Sequence, residues 1–264
     1  MTAGLARDGS SAAPDAVGIL GVRVDCVGPD ELNAFIHDTI ASEHRAVILN
    51  VNANCLNLTC AHPWLREMLN EAPVVFCDGT GVQWAARLLG GPVPPRVPYN
   101  TWMWQLAPFA AERGYGLYLL GAKPGVAERA AQRLQQHHPS LRVVGVHDGY
   151  FDRTAGGADE QAILADINSS GAHILLLGLG MPAQEDWLRR NWPQLRVNIG
   201  LTGGASLDYL AGDLATPPAW IARHGFEWVH RLAMEPRRLW RRYLLGNPVF
   251  LSRVVRQQLR QRHR

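Results

Sequence analysis

Lysine is almost missing from this chain. Lys123 is the only one in 264 residues, although Lys and Arg together number 26. Positive charge therefore arrives as guanidinium, a planar fork suited to pairing with phosphate and carboxylate. Long apolar runs are missing too: none approaches the roughly 20 residues of a spanning helix, so no segment is expected to cross a membrane. The first sixteen residues, rich in Ala, Ser, Gly and Asp, lack the apolar stretch of a signal peptide and read as a flexible extension. The chain is accordingly expected to stay in the cytoplasm. Its four cysteines, Cys26, Cys55, Cys60 and Cys77, have neither CxxC nor Cys/His zinc spacing and read as reduced core thiols. No GxSxG, HExxH or GxxxxGK(S/T) occurs, which removes the usual support for a serine hydrolase, a zincin or a P-loop ATPase. Nor is there an internal repeat of the kind that marks solenoids and propellers.

What is present is concentrated at the C-terminus. From Ala219 to Arg264 stand eleven arginines against Glu227 and Glu235, a local charge of +9 in a chain whose total is +3. Trp220, Phe226, Trp228, Trp240, Tyr243 and Phe250 are set among them. Clustered guanidinium groups gain from phosphate, and indoles settle at polar/apolar boundaries, so an anionic surface is the expected partner. Apolar spacing predicts two amphipathic helices broken at Glu235-Pro236, with Arg231, Arg237, Arg238, Arg241 and Arg242 gathered around the break. A peripheral helical pair folded on the body, or a single-stranded nucleic acid partner, fits the same composition.

Upstream, short apolar runs each end in Asn, Asp or Gly before a helical pattern. They are Ala46 to Leu49, Val74 to Phe76, Leu117 to Leu120, His173 to Leu177 and Val197 to Leu201. Strands buried on both faces and alternating with helices predict a largely parallel α/β sheet. An earlier strand is expected over Ile19 to Val24, followed by a helix over Asp30 to Ser42. Ligands of open α/β sheets sit beyond the carboxyl ends of strands, so Asn50, Asn52, Asp78, Gly121, Gly178 and Gly203 are candidates to line one crevice. The expected divisions are residues 1–16 as extension, 17–214 as α/β catalytic domain, and 215–264 as a basic, aromatic-rich, membrane-binding helical appendage.

Individual motifs admit two readings. Asp78, between Cys77 and Gly79, is placed to serve as general base for a hydroxyl, or merely to cap the following helix. Asn50, Asn52 and Asn54 can bracket sugar hydroxyls or build turns. Gly178-Leu-Gly-Met-Pro-Ala183 fits the letters GxGxxA, but the next strand ends in Thr202-Gly203 without the acidic residue that holds a ribose. That run, followed by Gln184-Glu185, suits a phosphate or sugar ligand as well as a dinucleotide.

Together these segments resemble the WecG/TagA/CpsF family of bacterial glycosyltransferases from about Gly18 to Leu251. The resemblance is carried by Asp78-Gly-Thr-Gly-Val82, Leu119-Leu-Gly121-Ala-Lys-Pro-Gly125, Gly178 through Gln184-Glu185, Gly203-Gly204-Ala-Ser-Leu-Asp208, and Phe226-Glu-Trp228 through Glu235-Pro-Arg-Arg238 to Arg241-Arg-Tyr243. It implies a Rossmann-like α/β fold, a largely parallel sheet flanked by helices, with a helical C-terminal appendage. It further implies inverting transfer of a hexosyl group, N-acetylmannosamine or glucose, from a UDP-sugar to a polyprenyl-diphosphate-linked saccharide at the inner face of the cell membrane. Neither metal nor other cofactor is implied, nor nucleic acid, and homo-oligomers are compatible with it. Asp78 is implied as base, with Arg237 and Arg238 also catalytic. Asn50, Asn52, Gly79, Arg96, Gly121, Gly178, Gln184, Gly203, Gly204, Asp208, Arg231 and Arg241 are implied to bind substrates. Three departures bear on the sugar: Asn50 stands where threonine is usual, Gly and Asp are missing after Arg96 in the stretch containing Tyr99, and Thr216 replaces a basic residue. Outside the family, a nucleotide-binding oxidoreductase fits the glycine motif, and a non-catalytic basic module fits the tail.

Overall fold

The computed structural model describes residues 15–218, 220–221 and 224–263. The expected N-terminal extension falls, up to residue 14, outside the described residues, and Ala16 already opens the first strand. The single strand expected over Ile19 to Val24 is instead an antiparallel hairpin. Strand β1 spans Ala16–Ile19 and β2 spans Val22–Asp25, with Leu20 and Gly21 turning between them at φ +52° and +80°. The apolar alternation runs through the turn, with Val17, Ile19, Val22 and Val24 all buried, which disguises the reversal as one strand.

The main sheet contains β3 (Ala46–Val51), β4 (Val74–Cys77), β5 (Gly116–Gly121), β6 (Arg142–His147), β7 (Ile174–Gly178) and β8 (Ile199–Thr202). Their order is β4-β3-β8-β7-β5-β6, and every pairing is parallel. Five strands coincide with the apolar runs. The sixth, β6, lies at the sheet edge with its residues only half-buried, so it carries no continuous apolar signal.

Alternate side chains sort onto two cores. Val47, Leu49 and Val51 of β3 join one, together with α2 (Ala53–Thr59), α3 (Pro63–Glu71), α4 (Thr80–Leu89), α7 (Ala158–Ser169) and α8 (Ala183–Asn191). Ala46 and Ile48 join the other, with α1 (Pro29–Ala41), α5 (Tyr99–Glu112), α6 (Val126–His137) and α9 (Ser206–Ala211). The chain leaves β3 into α2 on one face and leaves the adjacent β8 into α9 on the opposite face. That reversal opens a crevice beyond the carboxyl ends of β3 and β8, the usual ligand position in open α/β sheets.

The appendage continues through α10 (Glu227–Met234) and α11 (Pro236–Trp240) into a π-helical turn, Arg241–Leu245, and α12 (Gly246–Arg262). The break at Glu235-Pro236 is where the sequence places it, but the following segment is longer than one amphipathic helix. Phe250 and Val254 of α12 are buried in the same core as α2 and α4, each contributing about 1.5–3 kcal/mol of apolar burial. Arg253 Nη1 donates to Asn57 O and Oδ1 at 3.1 and 2.7 Å, and Gln257 accepts from Leu20 N at 2.7 Å. The last helix is thus fastened to both the sheet domain and the hairpin. Among the described residues no helix is long and apolar enough to cross a membrane.

Candidate active site

A cavity of about 690 Å³ fills the crevice. Asn50, Asn52, Asp78 and Thr202, at the ends of β3, β4 and β8, form its polar floor. Gly203, Gly204 and Tyr209 form one wall, and Arg231, Arg238, Arg242 and Tyr243 of the appendage form its roof. Among the described residues, no group of three His, Cys, Asp or Glu is placed to hold a metal ion.

Asp78 does not cap the helix that follows it. The N-cap of α4 is Gly79, with no side-chain bond. The Asp78 carboxylate turns the other way: Oδ1 accepts from Tyr99 N, at the start of α5, at 3.3 Å, and Oδ2 accepts from Asn52 Nδ2 at 3.4 Å. Asn52 is itself fixed, because its Oδ1 caps α2 by accepting from Cys55 N at 3.1 Å. Burial pushes the Asp78 pKa up, against opposing effects of the Asn52 and Tyr99 bonds and of Arg242 and Arg96. A carboxylate so placed is a stronger base than a solvated one, and it faces a cavity able to admit a hydroxyl.

Gln184 and Glu185 form the frame behind the wall. Gln184 is fully buried; its Oε1 accepts from Gly180 N at 3.2 Å and Gly204 N at 3.0 Å, while its Nε2 donates to Glu185 Oε1 at 2.8 Å. The amide therefore joins the two glycine loops and does not line the cavity. Gly121 and Gly178 also lie away from it. They are register partners in β5 and β7, and a Cβ on Gly121 would fall 2.5 Å from Gly178 C. These two glycines, expected to bind substrate, permit close strand packing and stand outside the cavity lining.

Glu185 Oε2 has no hydrogen-bond partner, and burial raises its carboxyl from 4.5 to about 7. Between those values the folded protein holds a proton that the unfolded chain has released. Stability therefore falls as pH rises through the window and levels off above it. At pH 8 the buried charge costs up to about 3 kcal/mol. Glu185→Gln is expected to raise the melting temperature by about 5 °C or more at pH 8 and to change it little at pH 4. Equal shifts at both pH values, read by calorimetry, would contradict this.

The roof brings together only some of the expected arginines. Glu235 Oε2 bridges Arg231 Nη2 and Arg238 Nη2, both at 2.7 Å, and the Arg231 guanidinium lies 5.1 Å from the Tyr209 ring centre. Arg231 Nη1 and Arg242 Nε are buried without a hydrogen-bond partner, a costly arrangement. Asp208 sits behind Arg231 and Arg238, outside the lining; burial raises its pKa and those two arginines oppose the rise. Arg237 and Arg241 are exposed and outside the cavity lining, with Arg241 stacked 5.2 Å from the Trp240 ring centre. Arg242 and Tyr243 are inserted instead, through the π-helical turn that shifts the helical phase at that point.

Arg96 is held by the appendage rather than open to the cavity. Its Nη1 pairs with Glu227 Oε2 and lies 3.4 Å from Thr80 Oγ1. Burial raises the Glu227 pKa, and Arg96 opposes the rise. Beside this pair Gly225, at φ +76°, presses so closely on Thr80 that a Cβ there would lie 2.6 Å from Thr80 Cγ2. Sequence reading missed Glu227, Arg242 and Tyr243 as site residues. Arg231 and Arg238 lie on separate helices across the Glu235-Pro236 break and Arg242 lies in the π-helical turn, so no single helical phase in the sequence singles out Arg242.

The model of the "Glycosyl transferase WecG/TagA/CpsF family" matches residues 17–264. A Staphylococcus aureus (strain MW2) protein named N-acetylglucosaminyldiphosphoundecaprenol N-acetyl-beta-D-mannosaminyltransferase is 27% identical over 242 residues, covering 91% of this chain and 92% of the relative. The protein of the same name from S. aureus strain NCTC 8325 / PS 47 is 26% identical over the same shares.

Proposed function

Because the chain belongs to the WecG/TagA/CpsF family and is a glycosyltransferase, we propose that it moves a hexosyl group from a UDP-sugar to a polyprenyl-diphosphate-linked saccharide, inverting the anomeric centre. The observation that carries the reading is the Asp78 carboxylate, uncommitted to capping α4, facing a cavity whose roof is lined by Arg231, Arg238 and Arg242. The names of the relatives support N-acetylmannosamine as the donor sugar and an N-acetylglucosaminyl-diphosphate lipid as acceptor.

In this mechanism Asp78 takes the proton of the acceptor hydroxyl as its oxygen attacks the anomeric carbon. The bond from that carbon to the UDP oxygen breaks on the opposite face, and UDP departs with the electron pair. Arg231 and Arg242 take up the charge that gathers on the diphosphate, and a well-placed donor contributes about 3–4 kcal/mol to such a step. No divalent ion is needed to fill that role. Asn50 and Asn52 hold sugar hydroxyls, while Gln184 acts through Gly180 and Gly204 by setting the loops. The arginines and aromatics of the appendage attach the enzyme to the anionic inner leaflet without spanning it.

The test is a panel of UDP-sugars, glucose included, incubated with a GlcNAc-diphosphate prenol, with and without EDTA. Acceptor-dependent UDP release and a disaccharide product are expected, with N-acetylmannosamine preferred and EDTA without effect. The reading fails if no UDP-sugar is consumed faster with acceptor than with water alone.

A further inference from the structure

The outer end of the cavity changes character. Trp84 of α4 and Leu251 of α12 both line it, yet they are 58% and 53% exposed. Beyond them the apolar surface continues along both helices, through Leu88 at 39% and Val255 at 40%. Helical spacing places these residues on one seam. Gly81 marks the side of α4 that meets α12, since a Cβ there would lie 3.7 Å from Phe250 Cε1. Trp84 and Leu88 follow Gly81 by three and seven and share that side. On α12, Leu251 and Val255 are four apart and flank the buried Phe250 and Val254. The basic residues Arg253, Arg256 and Arg260 occupy another shoulder of the helix, where Arg253 is bound to Asn57. A solvent-facing helix does not need this separation of charge from exposed aliphatic surface.

We propose that the α4–α12 seam is a binding track for the first isoprene units of the acceptor's lipid chain, with Trp84, Leu88, Leu251 and Val255 as its walls. This rests on the acceptor class proposed above. The occupant follows from continuity: with the acceptor sugar beside Asp78 and the donor diphosphate under Arg231 and Arg242, the acceptor's own diphosphate and its attached chain leave by the cavity rim. The seam is an apolar surface contiguous with that rim, since Trp84 and Leu251 line the cavity and Leu88 and Val255 continue it along the two helices. Binding there would fix the diphosphate relative to Asp78 before the rest of the chain enters the bilayer.

The experiment compares acceptors with a dimethylallyl or a farnesyl chain, below their micellar concentrations and without vesicles. In the full-length enzyme kcat/KM is expected to favour farnesyl by at least about tenfold, since several additional apolar groups leave water. In Trp84→Ser and Leu251→Ser this preference is expected to shrink to about threefold or less. A photoreactive farnesyl diphosphate should label peptides containing residues 84–88 and 251–255. The track is overturned if the intact enzyme shows no chain-length preference, if both variants retain it, or if labelling falls elsewhere. Loss of sedimentation with anionic phosphatidylglycerol vesicles, with the preference retained, would make the seam a bilayer contact and equally overturn it. Labelling of both peptides without any sugar transfer would support the track and sink the proposed reaction instead.

Discussion

Asp78→Asn is expected to lower kcat by about 100-fold or more while changing UDP-sugar affinity by less than about threefold. That loss corresponds to about 2.7 kcal/mol of transition-state stabilisation. Asparagine keeps the shape and can still accept from Tyr99 N or Asn52 Nδ2, but it cannot take a proton. The pH profile gives a second readout. Because burial raises the Asp78 pKa, the ionised base is lost as pH falls through a value above that of an ordinary aspartate. The acid limb of kcat/KM for the native enzyme should lie above the usual 3.8 and disappear in residual Asp78→Asn activity. Near-normal turnover by a folded variant would remove Asp78 from the mechanism.

Asp78 was legible as a candidate because an acid at the end of a short apolar run is unusual. Its choice between base and cap was not legible, because the direction of a carboxylate depends on a partner twenty-one residues away, Tyr99 at the start of α5. The same limit applies to Gln184. The sequence places it after a glycine loop, but only the fold brings Gly204 to its Oε1 and turns a candidate ligand contact into a frame. Gly121 and Gly178 carry the opposite lesson. Strand-end glycine has two causes, ligand approach and chain packing, and the second is decided by which strands become neighbours. The five inner or more buried strands were readable from unbroken apolar runs. Edge strand β6 and the β1–β2 reversal were not, because neither exposure nor a lone Gly21 leaves such a signature.

The arginines of the appendage are where sequence and geometry diverge most. Five cluster around Glu235-Pro236, and composition alone cannot rank them. Deleting residues 219–264 would not rank them either, because it would also strip Phe250 and Val254 from the core. Point substitutions separate the roles. Arg242→Ala and Arg231→Ala are each expected to lower kcat/KM by about 100-fold, because each removes a cavity-facing guanidinium that the leaving diphosphate would otherwise engage. Arg231→Ala should also destabilise the roof, since it frees half of the Glu235 bridge, whereas Arg242→Ala should not. Arg237→Ala, exposed and outside the cavity, is expected to change kcat/KM by less than about threefold. Its effect should instead appear as weaker sedimentation with anionic vesicles, of about 1 kcal/mol and reduced by salt. Turnover measured on a water-soluble acceptor, with vesicle binding measured separately, distinguishes these outcomes. If Arg237→Ala cripples transfer while Arg242→Ala does not, then the diphosphate approaches from the outer side of α11, and the arginines that line the roof have another purpose.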